Sequence, residues 1–335
     1  MINLGQIGIG EWGKNVLRNF VNLKDCSVKI CCDKDKTVLE NTKRNYNDRI
    51  KVTDNFNELL KEPKIDAVII ATLPATHAYF AIKALSKGKH VFVEKPIALK
   101  LEDAQEMIRV AKKNKRILMV GHLLLYHPAV RKLKSYIKEG ILGDIHYIYS
   151  TRVNLGQVRE EENALWSLTS HDISVAMYLL GKEPYQVQAT GRSYIRKHIQ
   201  DVVFVSLNFK GDIIAHIHAS WLDPHKIRKF TIVGSKKMAV FDDMESSEKI
   251  RIYDKGFAWQ KNAGTYETFL TLREGDIHIP KIDMVEPLRL ECQHFIDCIV
   301  NKKQPFSDGE NGLEVLKVLD AAQKSLEEND KIIKI

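Results

Sequence analysis

The chain has 335 residues, 44% of them hydrophobic and 28% charged, a composition that excludes a disordered or collagen-like chain and, at this length, a single ordinary core. Its formal charge of +8 is uneven: residues 1–120 hold 22 basic and 14 acidic side chains, and residues 121–335 hold 29 of each. A basic first third admits a nucleic-acid face, an anionic small ligand or Lys-rich helix surfaces in solvent, while no apolar run approaches the ~18–20 residues of a membrane span.

From Met1 to about residue 122 short apolar runs alternate with helix-period segments. Ile2–Ile9, Ser27–Cys32, Ala67–Ala71, His90–Val93 and Ile117–Val120 read as buried strands, and Gly13–Leu23, Asn55–Leu60, Ala75–Lys87 and Leu101–Lys113 as helices. Near-continuously apolar strands separated by amphipathic helices imply a parallel sheet covered on both faces, and the crossover rule makes it a doubly wound α/β sheet of the Rossmann type. After residue 140 the pattern changes. Asp144–Asn154, Tyr185–Tyr194, Val202–Phe209, Ile213–Trp221, Lys229–Val233, Met238–Phe241 and Lys249–Tyr253 are strand-like, several of them alternating. Helices return at Ser170–Leu180, Pro287–Asn301 and Gly309–Asn329, and Lys255–Pro280 lacks periodicity and is expected to be a loop. This predicts a second, α+β domain with a large, mostly antiparallel open sheet. The expected division is residues 1–122 and 123–335. Five cysteines, with Cys31 and Cys32 adjacent in an apolar run and none at zinc-ligand spacing, fit reduced thiols in a cytoplasmic protein, with no metal site. The first residues lack a signal-peptide layout.

Gly8-Ile9-Gly10-Glu11-Trp12-Gly13 matches G-x-G-x-x-G between the first strand and the first helix, the context in which that pattern carries weight. Gly8 is expected to make the tight turn, Gly10 to let the backbone approach a pyrophosphate, and Gly13 to pack helix against strand. A diphosphate there meets the free N–H groups of a helix N-terminus. Asp33 ends the second strand, where its carboxylate can accept hydrogen bonds from both adenosine ribose hydroxyls. That favours NAD, since a 2′-phosphate would be repelled unless Lys34 or Lys36 compensates. Two further segments follow later strands at the end of the sheet where ligands bind. In Thr72-Leu73-Pro74-Ala75-Thr76-His77, Pro74 ends the strand, and Thr76 or His77 either faces the cofactor or is satisfied locally. In Glu94-Lys95-Pro96 a lysine stands among apolar residues, where an ammonium is unusual unless used, and Pro96 rigidifies the turn that aims it.

These residues, followed by a strand-rich domain, resemble the Gfo/Idh/MocA oxidoreductase family over nearly the whole chain. Trp12-Gly13-Lys14-Asn15 with Arg18-Asn19-Phe20 is similar to the branch that oxidises C3 of UDP-amino sugars, the UDP-N-acetylglucosamine 3-dehydrogenases. The resemblance implies NAD on the first domain, contacted by Gly8, Gly10, Glu11, Trp12, Gly13, Asp33, Thr72, Pro74, His77, Glu94 and Lys95. It implies that Lys95 is the catalytic lysine, often on a cis Lys-Pro bond, and that His171 completes the active site from a helix of the second domain. It also implies a homo-oligomer, a dimer or tetramer. Many members carry an Asp four residues before this His; here Ser167 stands there, and a hydroxyl cannot supply a carboxylate's charge. Asp172 would point about 100° away from His171 on a helix.

Oxidising a secondary alcohol requires a base with a pKa near the working pH. His171 meets that without tuning. Lys95 meets it only with a depressed pKa and is otherwise placed to stabilise a developing alkoxide. Candidate substrate contacts are Tyr126, Arg152, Asn154, Arg159, Asn163, Trp221, Lys226 and Arg228. Tyr126 either lines the cleft or belongs to the core, Asn163 either orients sugar hydroxyls or caps the His171 helix, and the arginines are otherwise surface charges. Trp221 with Lys226 and Arg228, two residues apart on one strand face, suits a nucleotide diphosphate or is a strand edge guarded by charge. The expected function is NAD-dependent oxidation of a UDP-N-acetyl amino sugar to its 3-keto form. The alternatives are a dehydrogenase of a free sugar or inositol, an NADP-linked ketosugar reductase, and a non-catalytic dinucleotide sensor. A dinucleotide site, with no motif or aromatic platform for nucleic acid, assigns the basic surplus to helix surfaces.

Overall fold

The computed structural model describes every residue except 48, 157, 161 and 262–267. Its first part runs β1 (Ile2–Ile7), α1 (Gly13–Val21), β2 (Cys26–Cys32), α2 (Lys36–Asn45), β3 (Lys51–Thr53), α3 (Phe56–Lys61), β4 (Ala67–Ile70), α4 (His77–Ser86), β5 (His90–Glu94), α5 (Leu101–Lys113) and β6 (Leu118–Gly121). The six strands form one parallel sheet in the order β3-β2-β1-β4-β5-β6. Strands β4 and β6 are buried at every position, which is why they read as unbroken apolar runs. The sequence reading missed α2 and β3. Only Leu39 and Thr42 of α2 are buried, too few for a periodic signal, and the helix is started by the Asp35 carboxylate, which accepts the Thr37 and Val38 N–H groups.

The second part runs α6 (Pro128–Lys138), β7 (Ile145–Val153), α7 (Ser170–Leu180), β8 (Pro184–Arg192), β9 (Val202–Phe209), β10 (Ile213–Ser220), β11 (Ile227–Gly234), β12 (Met238–Asp242), β13 (Ile250–Lys261), β14 (Thr268–His278), α8 (Pro287–Asn301), α9 (Gly309–Glu327) and β15 (Ile333–Lys334). Strands β7 to β15 form a nine-stranded sheet in the order β14-β13-β12-β11-β7-β10-β9-β8-β15, antiparallel except between β7 and β10. On β10, Ile213, Ala215, Ile217 and Ala219 are buried while Ile214 and His216 face out. The expected loop over 255–280 is a correction: β13 and β14 pair from Ile252↔His278 to Lys261↔Thr268. Among its described side chains Phe257, Leu270, Leu272 and Ile277 are exposed, which weakens the in–out alternation that marks a half-buried strand.

The chain divides into two compact units, Met1–Tyr126 with Val285–Lys317, and His127–Met284 with Val318–Ile335. The expected boundary of 122/123 thus corresponds to 126/127, and assigning all of 123–335 to the second domain is corrected for α8 and the start of α9. Phe295 of α8 explains the return. Its ring lies 6.3 Å from Phe20 of α1 and 5.8 Å from Phe92 of β5, both edge-on, closing the apolar face of the first sheet. At β6, Ser307 donates through its hydroxyl to the Val120 carbonyl and accepts Val120 N–H through its own carbonyl.

The basic surplus of the first third lies largely on helix surfaces: Lys14, Lys43, Lys61, Lys112 and Lys113 are all exposed. Lys89 is the exception, its ammonium buried and donating to the Ile65 and Glu62 carbonyls. All five cysteines are buried free thiols. Among the described residues no helix is long and apolar enough to cross a membrane.

Candidate active site

The Gly8–Gly13 turn is built from inside the first unit. Gly8 adopts φ +86° and packs so tightly on the end of β4 that a Cβ would overlap the Ala71 carbonyl. A Cβ on Gly13 would overlap the Gly8 carbonyl, so both glycines are required by close approach. Gly10 differs: a Cβ there meets nothing within 4 Å. The backbone at Gly10 therefore borders open space at the start of α1, the opening a diphosphate needs. Gln6, overlooked in the sequence, fastens the turn. Its buried amide donates to the Gly8 carbonyl at 2.9 Å and the Gly13 carbonyl at 2.8 Å. A polar residue inside the apolar β1 run was the available signal.

Asp33 stands where expected at the end of β2. Its Oδ2 accepts Ile9 N–H at 2.7 Å and its Oδ1 accepts Asp35 N–H at 3.1 Å. The carboxylate is thereby fixed beside the turn with lone pairs to spare for hydroxyl donors. Glu11 and Trp12 are exposed on the turn. These residues fit a dinucleotide.

Beyond β4, Pro74 opens a one-turn 3₁₀ helix and the Thr72 and Thr76 hydroxyls meet at 2.7 Å. His77 does not face a ligand. It is fully buried, with Nδ1 2.8 Å from the Pro96 carbonyl and Nε2 3.1 Å from the Thr72 carbonyl. Burial holds its pKa below the usual histidine value, and a neutral ring can donate to only one of the two. Its role is to tie the loop after β4 to the turn after β5, where the Lys95–Pro96 bond is cis and Lys95 is half-buried. Glu94, buried, lies flush against Gly121 of β6, where a Cβ would press on its carboxylate. Burial pushes the Glu94 carboxyl up to about 7, against the opposing pull of the Trp12 indole and Lys95. His122 follows β6 with neither ring nitrogen hydrogen-bonded, and burial first, then Lys95, push it down to about 4. Tyr126 is a core residue, not a substrate contact. Fully buried, it stacks on Phe306 at 4.5 Å and meets the Ser307 hydroxyl at 2.8 Å.

In the second unit His171 lies in the first turn of α7, directly after a π-helical turn, Leu165–Thr169. Ser167 is buried in that turn. Asp172 does not serve His171. Its carboxylate takes both arms of the Arg152 guanidinium, at 2.5 and 3.3 Å, in a buried pair that fastens α7 to β7. Arg152 is therefore committed to structure. Asn163 caps the π turn: its Oδ1 accepts Trp166 N–H and its amide donates to Gln200 and Gln323. Arg159 is exposed and pairs with Glu162. Asn154 follows the end of β7, its N–H donating to the Ser220 carbonyl. Trp221 is buried, 3% exposed, and offers no stacking face.

Arg228 remains. It lies directly opposite Arg152 across β11 and β7, and its pKa is lowered by burial and then by Arg152. Its nearest carboxylate, Asp243, is 3.7 Å away and also serves His127 at 3.5 Å and Lys249 at 3.9 Å. Lys226, just before β11, is exposed. Asp243 was not legible in the sequence, since nothing local marks it as a hub for Arg228, Lys249 and the His127 ring.

A doubly wound sheet with strand order 3-2-1-4-5-6, this glycine turn and a lysine at the end of β5 define a dinucleotide-dependent oxidoreductase. Residues 2–122 match the oxidoreductase family, NAD-binding Rossmann fold, and residues 130–240 match the GFO/IDH/MocA C-terminal domain. The chain belongs to the Gfo/Idh/MocA family. It is 26% identical to myo-inositol 2-dehydrogenase of Thermotoga maritima over 99% of this chain and 98% of that protein. It is also 26% identical to UDP-N-acetylglucosamine 3-dehydrogenase of Acidithiobacillus ferrooxidans over 80% of each, whose structure superposes with a TM-score of 0.81 at 22% identity, covering 98% of both chains. Scyllo-inositol dehydrogenase from Lactobacillus casei, solved with NAD(H) and scyllo-inositol, superposes at 0.82 with 22% identity over 100% of this chain and 99% of that one.

Proposed function

We propose that this oxidoreductase uses NAD to oxidise the C3 hydroxyl of a UDP-N-acetyl amino sugar to a ketone. The observation that supports this substrate class is Arg228. It is a half-buried guanidinium with no carboxylate closer than 3.7 Å, and it follows the exposed Lys226. A guanidinium that shares its carboxylate with His127 and Lys249, close to an exposed lysine, suits a diphosphate better than an uncharged polyol. Gly10 and the α1 N-terminus would hold the cofactor diphosphate and Asp33 its adenosine ribose, which favours NAD over NADP. When bound, the nicotinamide supplies the hydride acceptor. Lys95 stabilises the developing alkoxide, and His171 takes the hydroxyl proton. The outward face of the nine-stranded sheet, with Tyr147, Tyr149, Phe204 and Ile214 exposed, would join copies in a homo-oligomer, a state that sedimentation would measure.

The relation to myo-inositol 2-dehydrogenase over nearly the full chain favours a second reading, oxidation of a free cyclic polyol. A panel of UDP-sugars, free sugars and inositols, assayed for NAD reduction with product mass, separates the two. Loss of two hydrogens from a UDP-sugar and a thermal shift with UDP are expected. Turnover of an inositol with no response to UDP would transfer the assignment to the second reading. Replacing His171 with Ala is expected to lower kcat by about 10²–10⁴-fold; near-normal single-turnover hydride transfer would remove His171 from the mechanism.

A further inference from the structure

His171 is the second residue of α7, and its bearing depends on the width of the turn before it. Leu165–Thr169 is π-helical and α7 begins at Ser170. A π turn holds one residue more than an α turn, and isolated ones are rare and found mostly at functional sites. Collapse of this turn to α-helix would swing His171 by about 100° around the helix axis. The turn therefore has to be held at both ends. Beyond it, the Asp172 carboxylate takes both arms of Arg152 and fastens α7 to β7. Before it, the hold comes from α9, 157 residues away along the chain.

Trp166, inside the π turn, has two N–H groups, and both can only donate. Its backbone N–H goes to Asn163 Oδ1 at 3.2 Å, and its indole Nε1–H goes to Gln323 Oε1 of α9 at 3.1 Å. These two donors settle which way both amides face. With its oxygen engaged, Asn163 turns its NH₂ group to Gln323 Oε1 at 3.0 Å and to Gln200 Oε1 at 2.8 Å. Gln323, accepting twice through Oε1, donates through Nε2 to Glu327 one turn further along α9, at 2.8 Å. The Gln200 carbonyl accepts Ala164 N–H at 2.8 Å. The side chains of the cap, the π turn and α9 thus meet at a single oxygen atom.

We propose that Gln323 is a positioning residue for His171: it keeps the π turn wide and so sets the direction in which the imidazole points. The consequence for catalysis rests on the reading of His171 as the proton acceptor. Packing alone does not call for an amide at this place. Leu319, one turn back on the same helix face, and the adjacent Ala322 are both fully buried, so an apolar side chain would continue that face. An apolar side chain would also leave the Trp166 indole and the Asn163 amide, both away from bulk water, without the acceptor they share. The turn relieves that loss by releasing the Asn163 cap and tightening to α-helix, which carries His171 out of line.

The test compares the wild-type full chain with Gln323→Met and with the exchange Gln323→Glu plus Glu327→Gln. The Met variant keeps the volume and loses the acceptor. The exchange keeps every hydrogen bond, because the new carboxylate accepts from Trp166 and Asn163 and the new amide donates to it. Imidazole NMR signals of His171 in histidine-labelled protein, assigned with His171→Ala, read its surroundings without any substrate. They are expected to shift in Q323M and to return in the exchange. Unmoved signals in Q323M, or no recovery in the exchange, overturns the proposal. If Q323M does not fold, Trp166→Phe, which removes only the indole donor, makes the same comparison. The kinetic arm uses UDP-N-acetylglucosamine carrying deuterium at C3. In Q323M kcat should fall about 10²-fold with KM nearly unchanged, and the deuterium effect on kcat should grow because the chemical step has slowed. A merely structural role would lower the amount of active enzyme at a constant isotope effect, and that result overturns the catalytic part of the proposal. If the NMR arm behaves as stated but His171→Ala keeps near-normal hydride transfer, or the wild type leaves the UDP-sugar unoxidised, the functional reading falls and the control of His171 by Gln323 stands.

Discussion

The glycine turn of the first unit and the β7–β11 face of the second present polar groups in opposite ways. The turn presents backbone. Gly8 and Gly13 are glycine because neighbouring carbonyls leave no room for a Cβ, and Gly10 is glycine although there is room. The β7–β11 face presents side-chain charge, and two arginines directly opposite each other have different fates: Arg152 is neutralised by Asp172, while Arg228 shares Asp243 with His127 and Lys249. Residue type therefore announces a backbone site, because only glycine serves there, but does not announce which of two arginines is available.

Substitutions can break or sharpen that contrast. The largest stability effect is expected at Arg152. Arg152→Ala leaves Asp172 buried and unpaired and should cost about 3–5 kcal/mol in denaturant unfolding, whereas Arg228→Met should stay within about 1 kcal/mol while weakening UDP binding. If the two behaved alike, the division of labour between them would be wrong. Lys95→Met should lower kcat/KM by about 10²–10³-fold with NAD affinity nearly unchanged, and near-wild-type turnover would displace it as the residue that meets the substrate. In the turn, Gly8→Ala, at φ +86° and against a carbonyl, should cost about 2–3 kcal/mol. Gly10→Ala should leave the melting temperature almost unmoved and raise the Kd for NAD. An equal loss of stability in both would remove the distinction drawn between them.

The smallest effect is a pH dependence. Burial raises the Glu94 carboxyl to about 7, above the ~4.3 of an unfolded glutamate. The unfolded chain gives up that proton first, so the stabilising contribution is full below the unfolded value and is lost as pH rises through about 7. Unfolding free energies measured from pH 5 to 8 should decline, and Glu94→Gln should flatten part of the slope.

Much of the fold was legible because burial on both faces leaves unbroken apolar runs such as Ala67–Ile70 and Leu118–Gly121. Helix α2 was not, because two buried residues make no period. The β13–β14 hairpin was not, because among its described side chains Phe257, Leu270, Leu272 and Ile277 are exposed and leave no apolar alternation to read. In the candidate site, Gly8, Gly10, Gly13, Asp33 and Lys95 stand in the local settings their motifs imply. For Tyr126, His77 and Asn163 the sequence left a site role and a structural one open, and the structure commits them, with Trp221 and Arg152, to Ser307, Pro96, Gln323, burial and Asp172 respectively.

By itself the sequence determined the doubly wound sheet, the dinucleotide turn and the family. Each depends on short-range constraints, namely strand burial, a positive φ and the few residues between a strand and its helix. Tertiary structure alone decided which charges are spoken for. Asp172 reaches Arg152 across 20 residues, Asn163 reaches Gln323 across 160, and Phe295 returns to pack on Phe92 of β5. Pairing of a buried charge depends on distance in space, to which spacing along the chain is blind.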